Sequence, residues 1–260
     1  PEVADKLKAI IQHQGAEQIA FLSSSNVSTE ALYLLQKCAR SLGSNNVDHR
    51  LKQQDFSTLE SASWSASEFD FDDLMQADNV LLIGSNIRCE QPMLAHRVRQ
   101  ATLNKAKVSV INPQAFDLNF NISQQLTSND IVLLVMQLAK ALEVEHQSLQ
   151  SVTVTESVRQ LAVELSASKR GYMLLGHYAL EHADAMTLRY MSNKIADKVG
   201  AKLICLTHGA NSYGAWQAGA VPHRTANGEL LDKPGKHAYE LLGDSPVRAY
   251  VLLNFEPEHD

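Results

Sequence analysis

The sequence predicts an α/β fold with mostly parallel sheets, because short apolar runs of strand length alternate with amphipathic helical patterns along the chain. Two further observations support this class: small polar turns follow the apolar runs, and no repeat or low-complexity tract interrupts the alternation. With 260 residues, of which 45% are hydrophobic and 20% charged, the chain can form one large or two modest domains around its own core.

The first predicted strand is Ile19–Leu22, and a helix follows it. Ser28 is placed to cap this helix, Glu30 lies in its first turn and Gly43 is a natural end. The helix should carry an apolar face whose cysteine packs in the core. That face comprises Ala31, Leu34, Leu35, Cys38 and Leu42.

A strand–helix–strand unit is predicted between residues 79 and 111. Val80–Ile83 has the pattern of a buried strand, Pro92 lies in the first turn of the next helix, and Lys107–Ile111 should be a strand parallel to the first. Before this unit, Gln53–Asp73 is rich in Ser, Asp and Glu and has little periodicity, so we expect an extended surface loop there.

The alternation continues to the end of the chain. Ser128 or Asn129 should cap a helix with Ile131 and Leu138 on its apolar side. The remaining predicted elements are a helix at 158–165, a strand at Tyr172–Leu175, a helix at Leu188–Val199 ended by Gly200, and strands at Leu203–Leu206 and Arg248–Leu253.

Charge and composition exclude several classes of function. The 23 basic and 29 acidic residues give a net charge of −6, which argues against a nucleic-acid partner. The longest apolar run, Ile131 to Met136, is too short to cross a bilayer, so we expect a soluble chain without direct membrane insertion. The three cysteines are widely spaced, which suits a reducing compartment, and they are too few to complete an iron–sulfur cluster.

The sequence lacks the common motifs for nucleotide binding and hydrolysis. There is no G-x-G-x-x-G and no G-x-S-x-G, and Gly214–Gly219 lacks the Lys and Ser/Thr of a phosphate loop. His177, Glu181 and His182 have the wrong spacing for a zinc site and indicate a solvated loop or helix start.

Ligands of parallel sheets bind at the carboxyl ends of the strands, so the loops after the predicted strands are the candidate binding segments. They are Ser23–Asn26, Gly84–Arg88, Asn112–Ala115, Gly176–Tyr178 and Thr207–Asn211. Turns after any buried strand have this composition, so a purely structural role stays open. His208 and His223 could contact a ligand, although we expect each to be a surface histidine.

Several segments together resemble the molybdopterin-oxidoreductase superfamily. Residues 40–50, RSLGSNNVDHR, resemble its LGTNNVDH signature, and residues 77–86, ADNVLLIGSN, with Glu90-Gln-Pro92 after them, resemble its next strand–turn–helix. Residues 207–224, THGANSYGAWQAGAVPHR, resemble a later loop. The His-Arg pair after Asp48, AGAVPHR at 218–224 and the ending at 250–258 are most similar to one branch of the superfamily, the large iron–sulfur subunits of bacterial respiratory complex I.

This resemblance implies two Rossmann-like lobes of the kind that form domains II and III of formate dehydrogenase. One lobe would comprise 1–47 plus 148–260 and the other 48–147, both within a fragment of a longer chain. The parent would carry its iron–sulfur clusters elsewhere and transfer electrons from NADH to quinone, coupled to proton translocation. The implied partners are other peripheral-arm subunits and the rest of its own chain, on the cytoplasmic side of the bacterial inner membrane.

The departures from the family pattern predict that the chemistry is lost. Counting from Asp48 places Gln54 where molybdenum-dependent relatives have a Cys or selenocysteine, and a neutral amide is a poor replacement for that ligand. Asn112-Pro113-Gln114 stands where the family has Asp-Pro-Arg, which helps to hold the guanosine of the pterin cofactor. We therefore expect no catalytic residue, metal or cofactor in this chain. The candidates for a vestigial pocket are Gly84, Ser85, Asn86, Asn112, His208 and Asn211.

Two alternatives stay open. The chain could belong to a formate-dehydrogenase-like enzyme that retains molybdopterin guanine dinucleotide, or it could be an unrelated α/β protein that binds a small molecule.

Overall fold

The computed structural model of the protein describes residues 2–57, 70–243 and 245–256. In chain order, the helices and strands are α1 Glu2–Gln14, β1 Ile19–Ser23, α2 Thr29–Ser41, β2 Val47–Asp48, α3 Phe71–Met75, β3 Asn79–Ile83, α4 Ile87–Glu90, α5 Pro92–Leu103, β4 Lys107–Asn112, β5 Gln124–Thr127, α6 Ile131–Ala141, α7 Glu156–Ser166, β6 Gly171–Leu175, α8 His177–Leu180, α9 Ala185–Val199, β7 Lys202–Cys205, α10 Ser212–Gln217, α11 Ala238–Leu242 and β8 Ala249–Leu253.

The chain divides into two compact units, and the first consists of Pro1–Ala66 and His208–Asp260. Its sheet has three parallel strands in the order β2-β1-β8, with Phe21 of β1 paired to Val47 and to Val251. β1 is buried along its whole length. One face of the sheet packs against α1, α2 and α10, and the other against α11. This is the arrangement expected when helices cover both faces of a parallel sheet.

The second unit is Ser67–Thr207 and contains five parallel strands in the order β5-β4-β3-β6-β7. The central strand β3 pairs with β4 on one side and β6 on the other, so that Val80 lies opposite both Val108 and Tyr172. Apolar side chains of α3 and α5 pack on one face of this sheet, and those of α6, α7 and α9 pack on the other. The carboxyl ends of all five strands therefore meet at one edge.

The predicted α/β class with mostly parallel sheets is confirmed, and the strand–helix–strand unit around residues 79–111 has the predicted parallel pairing. The hydroxyl of Ser28 accepts a hydrogen bond from the amide of Ala31 and so caps α2 as expected. Gly200 ends α9 in the left-handed conformation, at φ 67°. Apolar periodicity and capping residues were therefore sufficient to predict these elements.

The predicted domain boundaries differ from those of the structure. Residues 148–207, which we expected in the lobe with the amino terminus, belong to the second unit instead. The reason is strand pairing, because β6 bonds to β3 along five residue pairs and β7 extends the same sheet. Conversely, residues 48–57 belong to the first unit, where Asp48 ends β2.

The predicted apolar face of α2 is partly wrong. Leu34 and Cys38 are exposed, so Cys38 is not the packed core thiol we expected, and the buried residues are Leu32, Gln36 and Ala39. A polar residue takes part in this face because the side-chain oxygen of Gln36 accepts a hydrogen bond from Arg40. This bond lies within α2, so a polar pair one helical turn apart takes a place on the buried face.

Two other local predictions are wrong, those of the α6 cap and of the end of the loop 53–73. The cap of α6 is Asp130, whose carboxylate accepts from the amide of Leu133, and not Ser128 or Asn129. The predicted loop Gln53–Asp73 is wrong at its end, where Asp70 caps the short helix α3. Residues 58–69 of that loop lie outside the described residues. The helix α1 and the strands β2 and β5 had not been predicted.

No helix in the described ranges is long and apolar enough to cross a bilayer.

The side chain of Glu164 on α7 fastens the helix to β4 and to the residue that precedes β5 in the second unit. Its carboxylate accepts hydrogen bonds from the hydroxyls of Ser109 at 2.9 Å and Ser123 at 2.8 Å. Burial alone would raise the pKa of Glu164, but these hydrogen bonds outweigh it and hold the pKa below its ordinary value.

Replacing Glu164 with Ala should lower the free energy of unfolding by about 1–3 kcal/mol, because the buried hydroxyl of Ser109 loses its acceptor. Urea denaturation followed by circular dichroism measures this change. The matched control is Glu156→Ala on the same helix, where the side chain is exposed and its ion pair with Arg159 is long, at 3.9 Å. Equal losses in the two variants would contradict the role of Glu164.

Candidate functional site

Four of the candidate residues come together at the carboxyl ends of β3 and β4 in the second unit. The side chain of Asn112 is fully buried there, and its Oδ1 accepts from the backbone amide of Ser85 at 2.7 Å. Its Nδ2 donates to the backbone carbonyl of the same residue at 2.8 Å. Both ends of the amide are thus occupied by the turn Gly84–Asn86, which leaves Asn112 as a brace between two strand ends.

The carboxylate of Glu90 accepts hydrogen bonds from donors at the same edge of the sheet. It accepts from the hydroxyl of Ser85 at 2.9 Å, from the amide of Asn86 at 2.7 Å and from the amide of His177 at 3.1 Å. Backbone amides at a strand–helix junction are the donors that bind anions such as phosphate. In this chain a side chain of the protein already supplies the negative charge.

Gly84 and Gly176 allow the loops after β3 and β6 to approach each other. Gly84 has φ 58°, and a Cβ at this position would lie 2.6 Å from the amide nitrogen of Ala179. A Cβ on Gly176 would overlap the side chain of Ser85. The two glycines are therefore required by contact between protein loops.

The cluster of His177, Glu181 and His182 lies at the start and end of α8, as one of the two predicted interpretations has it. The three residues are half-buried, because α8 packs Ala179 into the core of the unit.

The first unit has its own polar centre at the end of β2, where the carboxylate of Asp48 is completely buried. It accepts from the amides of His49, Arg50 and Ala238, at 2.9, 3.1 and 3.0 Å. It also accepts two bonds from the guanidinium of Arg50, at 2.8 and 2.9 Å. Burial alone would raise the pKa of Asp48, but the charge and hydrogen bonds of Arg50 outweigh it and lower the pKa.

Aromatic rings surround this ion pair. The guanidinium of Arg50 lies 4.7 Å from the ring centre of Phe56 and 5.2 Å from that of Trp216. His49 and His223 each meet Trp216 edge-on, with ring centres 6.4 and 5.3 Å away. Contrary to expectation, His223 is a buried residue with 2% exposure and not a surface histidine. Burial lowers the pKa of both histidines to about 4.

The other residues of the signature also hold the fold. The hydroxyl of Ser44 donates to the carbonyl of Ile19, and the side chain of Asn45 donates to the carbonyl of Lys233. Asn46 donates to the carbonyl of Glu17 and accepts from the amide of Lys236. The family signature of residues 44–50 is thus a network that ties β1 and β2 to the carboxyl-terminal part of the unit.

His208 and Asn211 lie in a loop that packs on the segment after β1, in the first unit. Asn211 donates from Nδ2 to the carbonyl of Val27 at 2.7 Å, and its amide donates to the carbonyl of Ser25 at 2.8 Å. The side chain of His208 is exposed as expected, and its carbonyl accepts from the hydroxyl of Ser25. The side chain and the amide of Asn211 are therefore hydrogen-bonded within the first unit.

Gln54 is exposed and lies in an irregular segment of the first unit, six residues beyond the end of β2. The sequence did not single out Glu90, Trp216 or the burial of Asp48 as features of the site. An Asp-x-Arg pattern directly after a strand is the signal that could have indicated a bidentate buried pair.

Comparison with known proteins shows the family. A family model described as molybdopterin oxidoreductase matches residues 1–260. The chain is 37% identical over 103 residues to the F420-dependent formate dehydrogenase subunit alpha of Methanocaldococcus jannaschii, covering 38% of this chain and 15% of that protein. It is 28% identical over 273 residues to the probable oxidoreductase YjgC of Bacillus subtilis, covering 95% of this chain and 26% of that protein. The chain thus spans about a quarter or less of these curated relatives.

Solved structures show a similar fold at low sequence identity. A chain of the formyltransferase/hydrolase complex FhcABCD from Methylorubrum extorquens, in complex with methylofuran, matches with a TM-score of 0.59 and 15% identity, over 85% of this chain and 62% of that one. Acetylene hydratase from Pelobacter acetylenicus matches with a TM-score of 0.54 and 13% identity, over 76% of this chain and 32% of that one.

Replacing Asn112 with Asp should destabilise the second unit. A carboxylate still accepts from the amide of Ser85 but places negative charge beside its carbonyl, so we expect a loss of about 1–3 kcal/mol in unfolding free energy. Urea denaturation measures it, with the exposed Asn121→Asp as control. An unchanged midpoint for Asn112→Asp would show that the brace is unimportant.

Replacing Asp48 with Asn should lower the free energy of unfolding by about 3–5 kcal/mol, because it leaves the buried charge of Arg50 without its partner. The control is Asp117→Asn, which removes an exposed pair with Arg88 of the same 2.8 Å length and should cost less than about 1 kcal/mol. Thermal and urea unfolding measure both variants. Similar effects in the two variants would contradict a central role for Asp48.

Proposed function

This chain belongs to the molybdopterin oxidoreductase family, and we propose that it serves as a structural module without catalytic residues of its own. The observation that carries the proposal is that the polar side chains of Asn112, Glu90 and Asp48 are each hydrogen-bonded within their own unit. Asn112 and Glu90 occupy the turn after β3, and Asp48 is shared among five donors. Groups used in this way hold the fold.

The donor chemistry near the signature fits molybdenum poorly. Gln54 offers a neutral amide and its neighbour Asp55 a hard carboxylate, whereas the ligand it replaces is a soft thiolate or selenolate. None of the three cysteines lies within residues 44–57, since Cys38 and Cys89 lie on α2 and α4 and Cys205 ends β7. We therefore assign no step of a reaction to a bound metal.

The second unit fits the guanosine part of a pterin cofactor equally poorly. The residue in place of the family's Asp is Asn112, whose Oδ1 and Nδ2 both bond to Ser85. The residue in place of the family's Arg is Gln114, which is exposed and has no charge to offer a phosphate. We therefore propose that this chain binds no pterin cofactor.

We further propose that the parent is the large iron–sulfur subunit of bacterial NADH:quinone oxidoreductase, respiratory complex I. The residues behind that assignment are His49 and Arg50, with the segment 218–224, and they pack around Trp216 in one buried cluster. The module would then contact other peripheral-arm subunits and the rest of its own chain, on the cytoplasmic side of the inner membrane. Electrons would pass through clusters elsewhere in the parent.

The second candidate is a formate-dehydrogenase-like enzyme that retains molybdopterin guanine dinucleotide. Its support is that several relatives are named formate dehydrogenases, among them the F420-dependent formate dehydrogenase subunit alpha, which is 37% identical to a stretch of this chain. Under this alternative, a full-length chain would contain molybdenum and oxidise formate.

Purification of the full-length parent from its native membrane fraction distinguishes the two candidates. The structural-module proposal predicts NADH-dependent quinone reduction, no formate oxidation with a viologen dye, and no molybdenum above background by mass spectrometry. One molybdenum per chain together with formate oxidation would overturn the proposal in favour of the second candidate.

Variants of the full-length chain test the roles of individual residues. Gln54→Ala should leave NADH:quinone activity and the yield of assembled complex unchanged, because an exposed amide of a silent module takes part in no chemistry. Asp48→Asn should lower both in proportion, because it lowers the amount of folded module. A loss of turnover per assembled complex in Gln54→Ala would contradict the proposal.

A further inference from the structure

His223 is a buried imidazole whose two ring nitrogens have no hydrogen-bond partner among the described residues. The residue is 2% exposed, and its ring packs edge-on against Trp216. A neutral imidazole there already leaves one donor and one acceptor unsatisfied, and a protonated one would be a buried cation with two N–H donors and no acceptor.

The charges that act on His223 disfavour a second cation. Arg50 and Arg224 oppose its protonation, and Asp48 is the anion that favours it. The carboxylate of Asp48, however, already accepts five hydrogen bonds. His49, which also contacts Trp216, is buried and neutral at pH 7, because burial lowers its pKa to about 4.

Residues 218–224, here called the His223 turn, are held by few side chains. The guanidinium of Arg40 donates to the carbonyls of Gly219, Val221 and Arg224. The Nδ1 of His49 donates to the carbonyl of Ala220 at 2.9 Å. None of these bonds belongs to the ladder of the sheet, whose strands are β2, β1 and β8. The amides of Leu231 and Gly235 also donate to the carbonyls of His223 and Pro222, each at 2.9 Å, and Ala218 and Ala220 pack in the core of the unit. Residues 221–224 can therefore separate from their partners while the pairing of β2, β1 and β8 stays intact.

We propose that the His223 turn is an acid-sensitive latch, which opens locally when the buried imidazole of His223 takes up a proton. Opening lets the imidazolium reach water and separates it from Arg50. The sheet and its helices stay folded, and the indole of Trp216 becomes more exposed because its contact with His223 is lost.

The direction of the pH dependence follows from the histidine pKa. An unfolded or opened His223 titrates near its ordinary value of 6.5, whereas in the closed turn burial lowers the pKa to about 4. The open form therefore binds more protons between these values, and the closed form loses stability as the pH falls from about 6.5 to about 4. Above pH 6.5 the closed turn should be insensitive to pH.

Fluorescence of Trp216 tests the proposal directly. The chain has two tryptophans, and Trp64→Phe leaves Trp216 as the only one. On acidification from pH 7.5 to 4, its emission should shift reversibly to longer wavelength and its quenching by acrylamide should increase, while the far-ultraviolet circular dichroism stays constant. An emission change that coincides with loss of circular dichroism would show global unfolding and overturn the local latch.

Variants assign the transition to one residue. His223→Phe keeps an aromatic ring against Trp216 but cannot be protonated, so the transition should move to lower pH. His13→Phe, at an exposed position of α1, should leave it unchanged. A transition with the same midpoint in His223→Phe would overturn the proposal.

Nuclear magnetic resonance of the full chain with labelled histidines provides the second measurement, should His223→Phe fail to fold. The proposal requires a ring signal that stays neutral below pH 6 and changes together with the emission of Trp216. If every histidine titrated near pH 6.5 without a change at Trp216, the latch would be disproved.

Discussion

The first unit depends on the buried carboxylate of Asp48. One side chain there neutralises Arg50, ends β2 and fixes the first amide of α11. A carboxylate in an apolar interior is tolerated only when its charge and lone pairs are satisfied, and five hydrogen bonds achieve this. The aromatic rings of Phe56 and Trp216 then cover the cation. Every residue of this centre is constrained by the others, which leaves little freedom for a role in binding.

In the second unit, side chains of the protein satisfy the backbone amides at the carboxyl ends of the strands. Its parallel strands bring backbone amides to one edge, where they would attract an anion in a ligand-binding relative of this architecture. Here Glu90 and Asn112 satisfy the turn after β3, and Gly84 and Gly176 let the neighbouring loops touch. The edge is thus stabilised from within the chain, as the proposed structural role requires.

Local patterns in the sequence were sufficient to predict most helices and strands. They were insufficient to predict the buried polar clusters around Asp48 and Asn112. Strands such as Val80–Ile83 and the cap at Ser28 follow from periodicity and side-chain chemistry within a few residues. The burial of His223 depends on partners that are distant in sequence, so no local pattern contains it. The domain boundary failed for the same reason, because the pairing of β6 with β3 decides it and the two strands are about ninety residues apart.

Calorimetric titration of the chain with guanosine diphosphate shows whether the strand ends bind a cofactor, because this nucleotide carries the guanine and pyrophosphate of molybdopterin guanine dinucleotide. We expect no saturable heat, since the strand-end donors of Ser85 and Asn86 are bonded to Asn112 and Glu90 within the protein. Saturable one-to-one binding that is weakened by a substitution in the Gly84–Asn86 turn would contradict this expectation.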